Sequence, residues 1–170
     1  MPEFKISEDA ETQFEERGYF VVQNIIEPDA VKAVRNEIER IIDEDAEGFQ
    51  LDRRRVDNAQ VDDADAVRAV RDGNFLSRVL WERWLTSKHV VEINRRFVGE
   101  HVRVQGARFF TKPARIGEPT PWHQDFWLWA QGPNKITRPY KKRHLSCWVA
   151  LESVDLDNGC LHVIPGVQMV

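Results

Sequence analysis

Apolar residues in the first hundred positions recur mostly at helical spacing. Val31, Val34, Ile38, Ile41 and Ile42 follow Pro28 on one helical face, and Pro suits a first helical turn, so a helix packed on a sheet is predicted there. Ser7 can cap an earlier helix, with Glu8 and Asp9 in its first turn, running to about Arg17 and stopping at Gly18. Tyr19 to Val22 reads as a short strand. Asn74 can cap a helix through Leu85, with Trp81 and Trp84 as core residues. Ser87 can cap another through Phe97, ended by Gly99. Between these, Asp43 to Asp72 is charge-rich and poor in large apolar residues, with Asp52-Arg53-Arg54-Arg55 and Asp62-Asp63-Ala64-Asp65 as extremes. That composition predicts an exposed excursion.

Beyond Gly99 the pattern changes from helical to extended. Val102 to Lys112 is rich in β-branched and aromatic residues with partial alternation, which predicts a strand. Pro113, Gly117, Pro119 and Pro121 mark a loop. A strand carrying His123-Gln124-Asp125 is expected next, then a long loop, then an apolar strand Leu145 to Leu151. Asp157-Asn158-Gly159 is a tight-turn signal because Asn and Gly tolerate positive φ. Cys160 to Ile164 is a further strand, closed by Pro165-Gly166. The expected class is mainly β with flanking helices, in one domain over 1–170: a helical part at about 1–99 and strands at about 100–170.

Length, charge and cysteine count narrow the class further. The 170 residues suffice for a core, and 42% hydrophobic with 31% charged residues fits a globular chain. A net charge of −4 gives no global field for nucleic acid, and the basic stretch Lys135 to Arg143 is local. No run of 18 apolar residues and no secretory segment is present, so no membrane span and a cytoplasmic location are expected. Cys147 and Cys160 are expected as reduced thiols. Six Trp are many. Trp122, Trp127, Trp129 and Trp148 surround the His123 region, as core packing or as the lining of a pocket for an apolar substrate.

His123 and Asp125 carry the candidate chemistry. Two residues apart on a strand, they would share a face and offer an imidazole nitrogen and a carboxylate oxygen to one metal ion. That is two-thirds of a 2-His-1-carboxylate site, which leaves positions open for co-substrate and O2. The alternative is a His and an Asp bonded to each other or to backbone on a solvated segment. No obvious third ligand lies between Asp125 and Val170. Among the five His, His89 reads as a surface or hydrogen-bonded helix residue and His101 as the opening of a strand. His144 follows a basic loop, and His162 is a half-buried strand residue.

Trp122-His123-Gln124-Asp125, then Leu145-Ser146-Cys147-Trp148-Val149-Ala150-Leu151, then Asp157-Asn158-Gly159-Cys160-Leu161-His162-Val163-Ile164-Pro165-Gly166 occur in the order seen in a known group of enzymes. Phe14 to Val22 adds a matching opening. Together they resemble the phytanoyl-CoA dioxygenase family of Fe(II)/2-oxoglutarate-dependent oxygenases. The resemblance implies a double-stranded β-helix (a cupin-like jelly roll) with helices outside it. His123 and Asp125 would bind Fe(II), and 2-oxoglutarate would chelate the metal. A small organic substrate would be hydroxylated with O2, releasing succinate and CO2. Related halogenases carry a small residue in place of the carboxylate, so Asp125 argues for hydroxylation. Gln124 and Trp148 are candidates for the co-substrate region, and Lys112 and Arg108 for anionic contacts.

The resemblance also implies a gap. In the family the second metal His and an Arg that pairs with 2-oxoglutarate lie downstream of the Pro-Gly segment, where this chain has Val167-Gln168 and ends at Val170. A jelly roll incomplete at its C-terminus follows, with the third ligand missing from the chain. Two rivals stand beside the oxygenase: an inactive truncated fragment, whose open edges a partner chain could complete, and a metal-free jelly-roll binding module.

Overall fold

Pro28 opens the longest helix because its fixed φ suits the first turn and its missing N–H costs nothing there. The computed structural model describes residues 4–53, 67–71, 76–113, 119–125 and 144–167. In it, helix α1 spans Ala10–Arg17 and helix α2 spans Pro28–Asp43. Gly18, at φ 81°, ends α1 as predicted, in the left-handed conformation that Gly adopts without strain. The start of α1 differs from expectation. Its N-cap position is Asp9, and Ser7 instead accepts a backbone bond from Ala10 N at 3.2 Å.

The segment expected to be an exposed excursion supplies two of the three strands of the sheet. Strand β1 is Gln50–Arg53 and strand β2 is Val67–Arg71. Strand β3 is Arg108–Phe110, and the order is β1-β2-β3, antiparallel throughout. Charge-rich composition hid the strand because β2 reads Val-Arg-Ala-Val-Arg, yet Val67, Ala69 and Val70 are all buried. Residues 54–66 lie outside the described part, as do Asn74, Trp127, Trp129 and the basic stretch 135–143.

Other strand expectations are corrected too. Residues 19–22 form no strand; Phe20 packs on Phe97 at 4.4 Å while Val21 is exposed. Of the strand predicted at 102–112, only 108–110 pairs, and His101 stands outside it. Residues 121–124 are irregular, and 145–151 and 160–164 pair with no strand among the described residues. The Asp157-Asn158-Gly159 turn does form. Asp155 Oδ1 accepts from Asp157 N and Asn158 N, Asn158 Oδ1 accepts from Asp155 N at 2.7 Å, and Gly159 has φ 88°.

The helical predictions around 74–99 resolve into two pieces. Ser77 caps a single turn, α3 (Arg78–Leu80), accepting from Leu80 N at 3.3 Å, and the chain continues as a π-helical turn over Trp81–Leu85. Helix α4 spans Lys88–Val98 from Ser87 to Gly99. One core joins Val34, Ile38 and Ile41 of α2 to Val67, Val70, Leu80, Trp84, Val90 and Phe109, with Trp84 and Phe109 at 4.7 Å between ring centroids. A second core gathers Ala10, Ile93 and Phe97 with Phe14 and Phe20 around them. Burial of this apolar surface is the main stabilising force.

Leu145–Leu151 bridges these cores to the candidate site. Leu145 packs on the second core, and Val149 and Leu151 pack on the first. Burial alternates along the segment: Leu145, Cys147, Val149 and Leu151 face inward and Ser146, Trp148 and Ala150 face outward. The period-two pattern thus survives in a segment that pairs with no strand among the described residues.

Candidate metal centre

His123 and Asp125 do come together, though not on a strand. His123 Nε2 stands 3.5 Å from Asp125 Oδ1. The other ring nitrogen, Nδ1, donates to the Pro121 carbonyl oxygen at 2.7 Å. A carbonyl only accepts, so Nδ1 donates in this bond and Nε2 is the nitrogen turned toward the carboxylate. An imidazole nitrogen and a carboxylate oxygen at that separation can share a proton or a cation. Such a backbone bond from the non-ligating nitrogen is also what orients metal-binding imidazoles.

The carboxylate is held from the other side. Ser146 Oγ donates to Asp125 Oδ2 at 2.9 Å, which leaves Oδ1 for the His123 side. Ser146 can do this because its neighbours Leu145 and Cys147 are turned inward. Sequence reasoning did not single out Ser146; its place between inward-facing neighbours was the available signal. Both His123 and Asp125 are exposed to solvent, with side chains 36% and 49% accessible. That openness fits a site that receives small molecules. Among the described residues, no third His, Cys, Asp or Glu joins the pair.

The remaining predicted site residues are distributed around it. Gln124 Nε2 donates to the Val167 carbonyl oxygen at 2.9 Å, tying the His-Gln-Asp segment to the Pro165-Gly166 turn. That turn is anchored in turn by Gly166 N donating to Arg17 O at 2.9 Å, at the end of α1. Trp122 meets His162 edge to face at 6.3 Å. Trp148 shares the outward side with Ser146 and is half exposed. Lys112 has a left-handed φ of 43°, and its aliphatic chain lies against Gly159. Arg108 lies 5.7 Å from the Phe110 ring centroid. His89 Nδ1 contacts Ile25 O at 3.3 Å and its ring stacks on Phe4 at 4.0 Å, a packing role. Cys147 and Cys160 are free thiols, and burial pushes the Cys147 thiol pKa up.

Residues 14–169 match the phytanoyl-CoA dioxygenase (PhyH) family. The chain belongs to this family. Among curated relatives, the peroxisomal phytanoyl-CoA dioxygenase of Bos taurus is 26% identical over 162 residues, covering 91% of this chain and 45% of the relative. The Mus musculus protein of the same name is 27% identical over 161 residues. The ectoine dioxygenase of Bordetella bronchiseptica is 27% identical over 161 residues, covering 95% of this chain and 49% of the relative. The chain therefore spans about half the length of the curated relatives it matches. No solved structure is significantly similar to it.

Family membership makes this a relative of dioxygenases, and the matched span 14–169 contains all three motifs. In the structure those motifs converge: Asp125 bonds Ser146 and Trp122 touches His162, while Gln124 bonds Val167, the residue just after the third motif. Among the described residues, no helix is long and apolar enough to cross a membrane.

Proposed function

We propose that this chain contributes two ligands, His123 and Asp125, to the Fe(II) site of a 2-oxoglutarate-dependent dioxygenase that hydroxylates a small organic molecule. The observation that carries this reading is the orientation of the pair. Nδ1 is committed to Pro121 O and Oδ2 to Ser146, so Nε2 and Oδ1 remain and converge at 3.5 Å. An imidazole nitrogen and a carboxylate oxygen suit Fe(II). When bound, the metal with 2-oxoglutarate and O2 supplies the oxidative chemistry. The chain's own residues do the rest. His123 keeps one tautomer, Ser146 fixes the carboxylate, and Gln124 pins the segment to the Val167 carbonyl. Trp148, beside Ser146, lines the approach, and Lys112 offers an ammonium near the turn. The third ligand is expected from the part of the family's jelly roll that this chain does not span, or from a partner chain. The substrate class is a small molecule, with O2 as co-reactant.

Metal-dependent stabilisation tests the reading. A ligand that binds only the folded chain raises the melting temperature as its concentration exceeds the dissociation constant. Fe(II) with 2-oxoglutarate under anaerobic conditions should raise it in the native chain and not in His123→Ala or Asp125→Ala. An unchanged response in the double variant would mean that the metal sits elsewhere or that the module works without one.

A further inference from the structure

Gln124 stands between the two candidate ligands, and its side chain is committed to a different part of the chain from theirs. Its Nε2 donates to the Val167 carbonyl oxygen at 2.9 Å, across 43 residues. A carbonyl only accepts, so the amide turns its NH2 side to Val167. His123 is fixed locally, through Nδ1 and the Pro121 carbonyl oxygen, and Asp125 by Ser146 Oγ across 21 residues. Three consecutive side chains are thus tied to three different points of the chain.

These ties matter because the backbone supplies no ladder. Residues 121–124 are irregular and pair with no strand among the described residues. On a paired strand the ladder would set the direction of each side chain. The His123 bond turns the ring without locating the segment, since both its partners lie within the segment. Among the described residues, the hydrogen bonds that reach outside it are those of Asp125 to Ser146 and Gln124 to Val167. One such tether would let the segment pivot about it; two fix its orientation.

The Gln124 tether ends on packed structure, although both of its residues are exposed. Val167 follows the Pro165-Gly166 turn, and Gly166 N donates at 2.9 Å to the carbonyl oxygen of Arg17, the last residue of α1. A Cβ on Gly166 would lie 3.9 Å from the Glu16 carbonyl oxygen, so the turn rests against the end of that helix. Helix α1 is held by Ala10, fully buried in the second core, and by Phe14, whose ring meets Phe97 at 5.2 Å.

We propose that Gln124 is a positioning residue for the His123–Asp125 pair, acting through the Val167 carbonyl and the end of α1 rather than by touching metal or co-substrate. The clamp stands on the hydrogen bonds; its consequence for metal binding rests on the function proposed above. Docking of the turn on α1 and the geometry of the pair are then linked, and each steadies the other.

The test begins with the metal-free chain. Three-bond Hα–Hβ couplings, read by NMR, give the χ1 rotamers of His123 and Asp125. One rotamer is expected for each in the native chain. Gln124→Leu removes the donor at similar volume, and Gln124→Glu sets an acceptor against the Val167 carbonyl at equal length. Both variants should show averaged couplings with little change in melting temperature. Averaged couplings in the native chain, or single rotamers kept in both variants, overturn the proposal. Co(II) is then titrated. The variants should bind it roughly tenfold more weakly, with an altered d–d absorption. Co(II) should also slow exchange of the Gly166 amide in the native chain and not in Gln124→Leu. Equal Co(II) affinity in native chain and variants overturns the proposal, as does a lowered melting temperature with couplings, affinity and absorption unchanged. No Co(II) binding by the native chain, with averaging still seen in the variants, would overturn the metal reading and leave the clamp standing.

Discussion

Ser146 Oγ donates to Asp125 Oδ2 at 2.9 Å across a sequence separation of 21 residues. The bond links the His-Gln-Asp segment to the apolar segment that grips both cores. It gives Asp125 a fixed orientation on an otherwise exposed surface. Ser146→Ala should lower Fe(II) or Co(II) affinity by roughly 10- to 100-fold, the usual effect of removing a group that orients a ligand. The melting temperature should change little, because both residues are exposed. A metal titration beside a thermal melt checks this; equal affinity in the variant would mean Asp125 needs no such support.

Glu37 joins two helices and should make stability depend on pH in one direction. Its carboxylate accepts from Arg40 Nε at 3.0 Å and from Ser77 Oγ at 2.6 Å, and the side chain is 13% accessible. The Arg40 bond chiefly lowers its pKa, burial opposes, and Ser77 lowers it further. A carboxyl whose folded pKa is depressed stabilises the fold at pH above its unfolded value. That contribution is lost as pH falls through the folded value. Glu37→Gln should therefore be less stable than the native chain at neutral pH, by roughly 0.5–1 kcal/mol after solvent screening. The two should converge in acid. Urea unfolding at a series of pH values measures the gap, and a gap that widened in acid would contradict the assignment.

The helices and the turns were legible because their signals are local. Gly18, Pro28, Gly99 and Asp157-Asn158-Gly159 each mark a backbone conformation that neighbouring residues cannot override. The strands were harder. β2 was hidden by its arginines, and residues 145–151 carry strand-like alternation without any pairing among the described residues. Pairing depends on a neighbour far along the chain, which periodicity cannot supply. The candidate site was half legible for the same reason. His123 and Asp125 stood out by residue type and spacing, whereas Ser146 matters through what lies beside it in space. The expectation of one strand carrying His123 and Asp125 failed, yet the two still meet because the Pro121 carbonyl turns the imidazole.

Trp84 is the aromatic that ties the π-helical turn to the sheet. It is 9% exposed and its ring lies 4.7 Å from Phe109 on β3, the strand that also carries Arg108. Trp84→Ala should cost about 3–5 kcal/mol by lost burial and cavity formation. Trp84→Phe should cost less because a ring contact remains. Denaturant unfolding gives both values; a cost near zero for the alanine variant would mean that this core collapses around the gap.

Gly159 and Lys112 meet where two unusual backbones approach. Gly159 has φ 88° and Lys112 φ 43°, both in the left-handed region. A Cβ on Gly159 would lie 2.8 Å from Lys112 Cδ. Gly159→Ala therefore brings two separate penalties: a positive φ that Ala tolerates poorly, and a clash with the lysine chain. The first should cost roughly 1–3 kcal/mol. The second is relieved either by moving Lys112 or by shortening it. Lys112→Ala combined with Gly159→Ala should then be more stable than the sum of the single effects predicts, a positive coupling between contacting residues. The measurement is a double-mutant cycle by urea unfolding. Strict additivity would mean that Lys112 swings away freely. The turn would then leave its ammonium unfixed, and Lys112 would lose its claim to a defined place near the site.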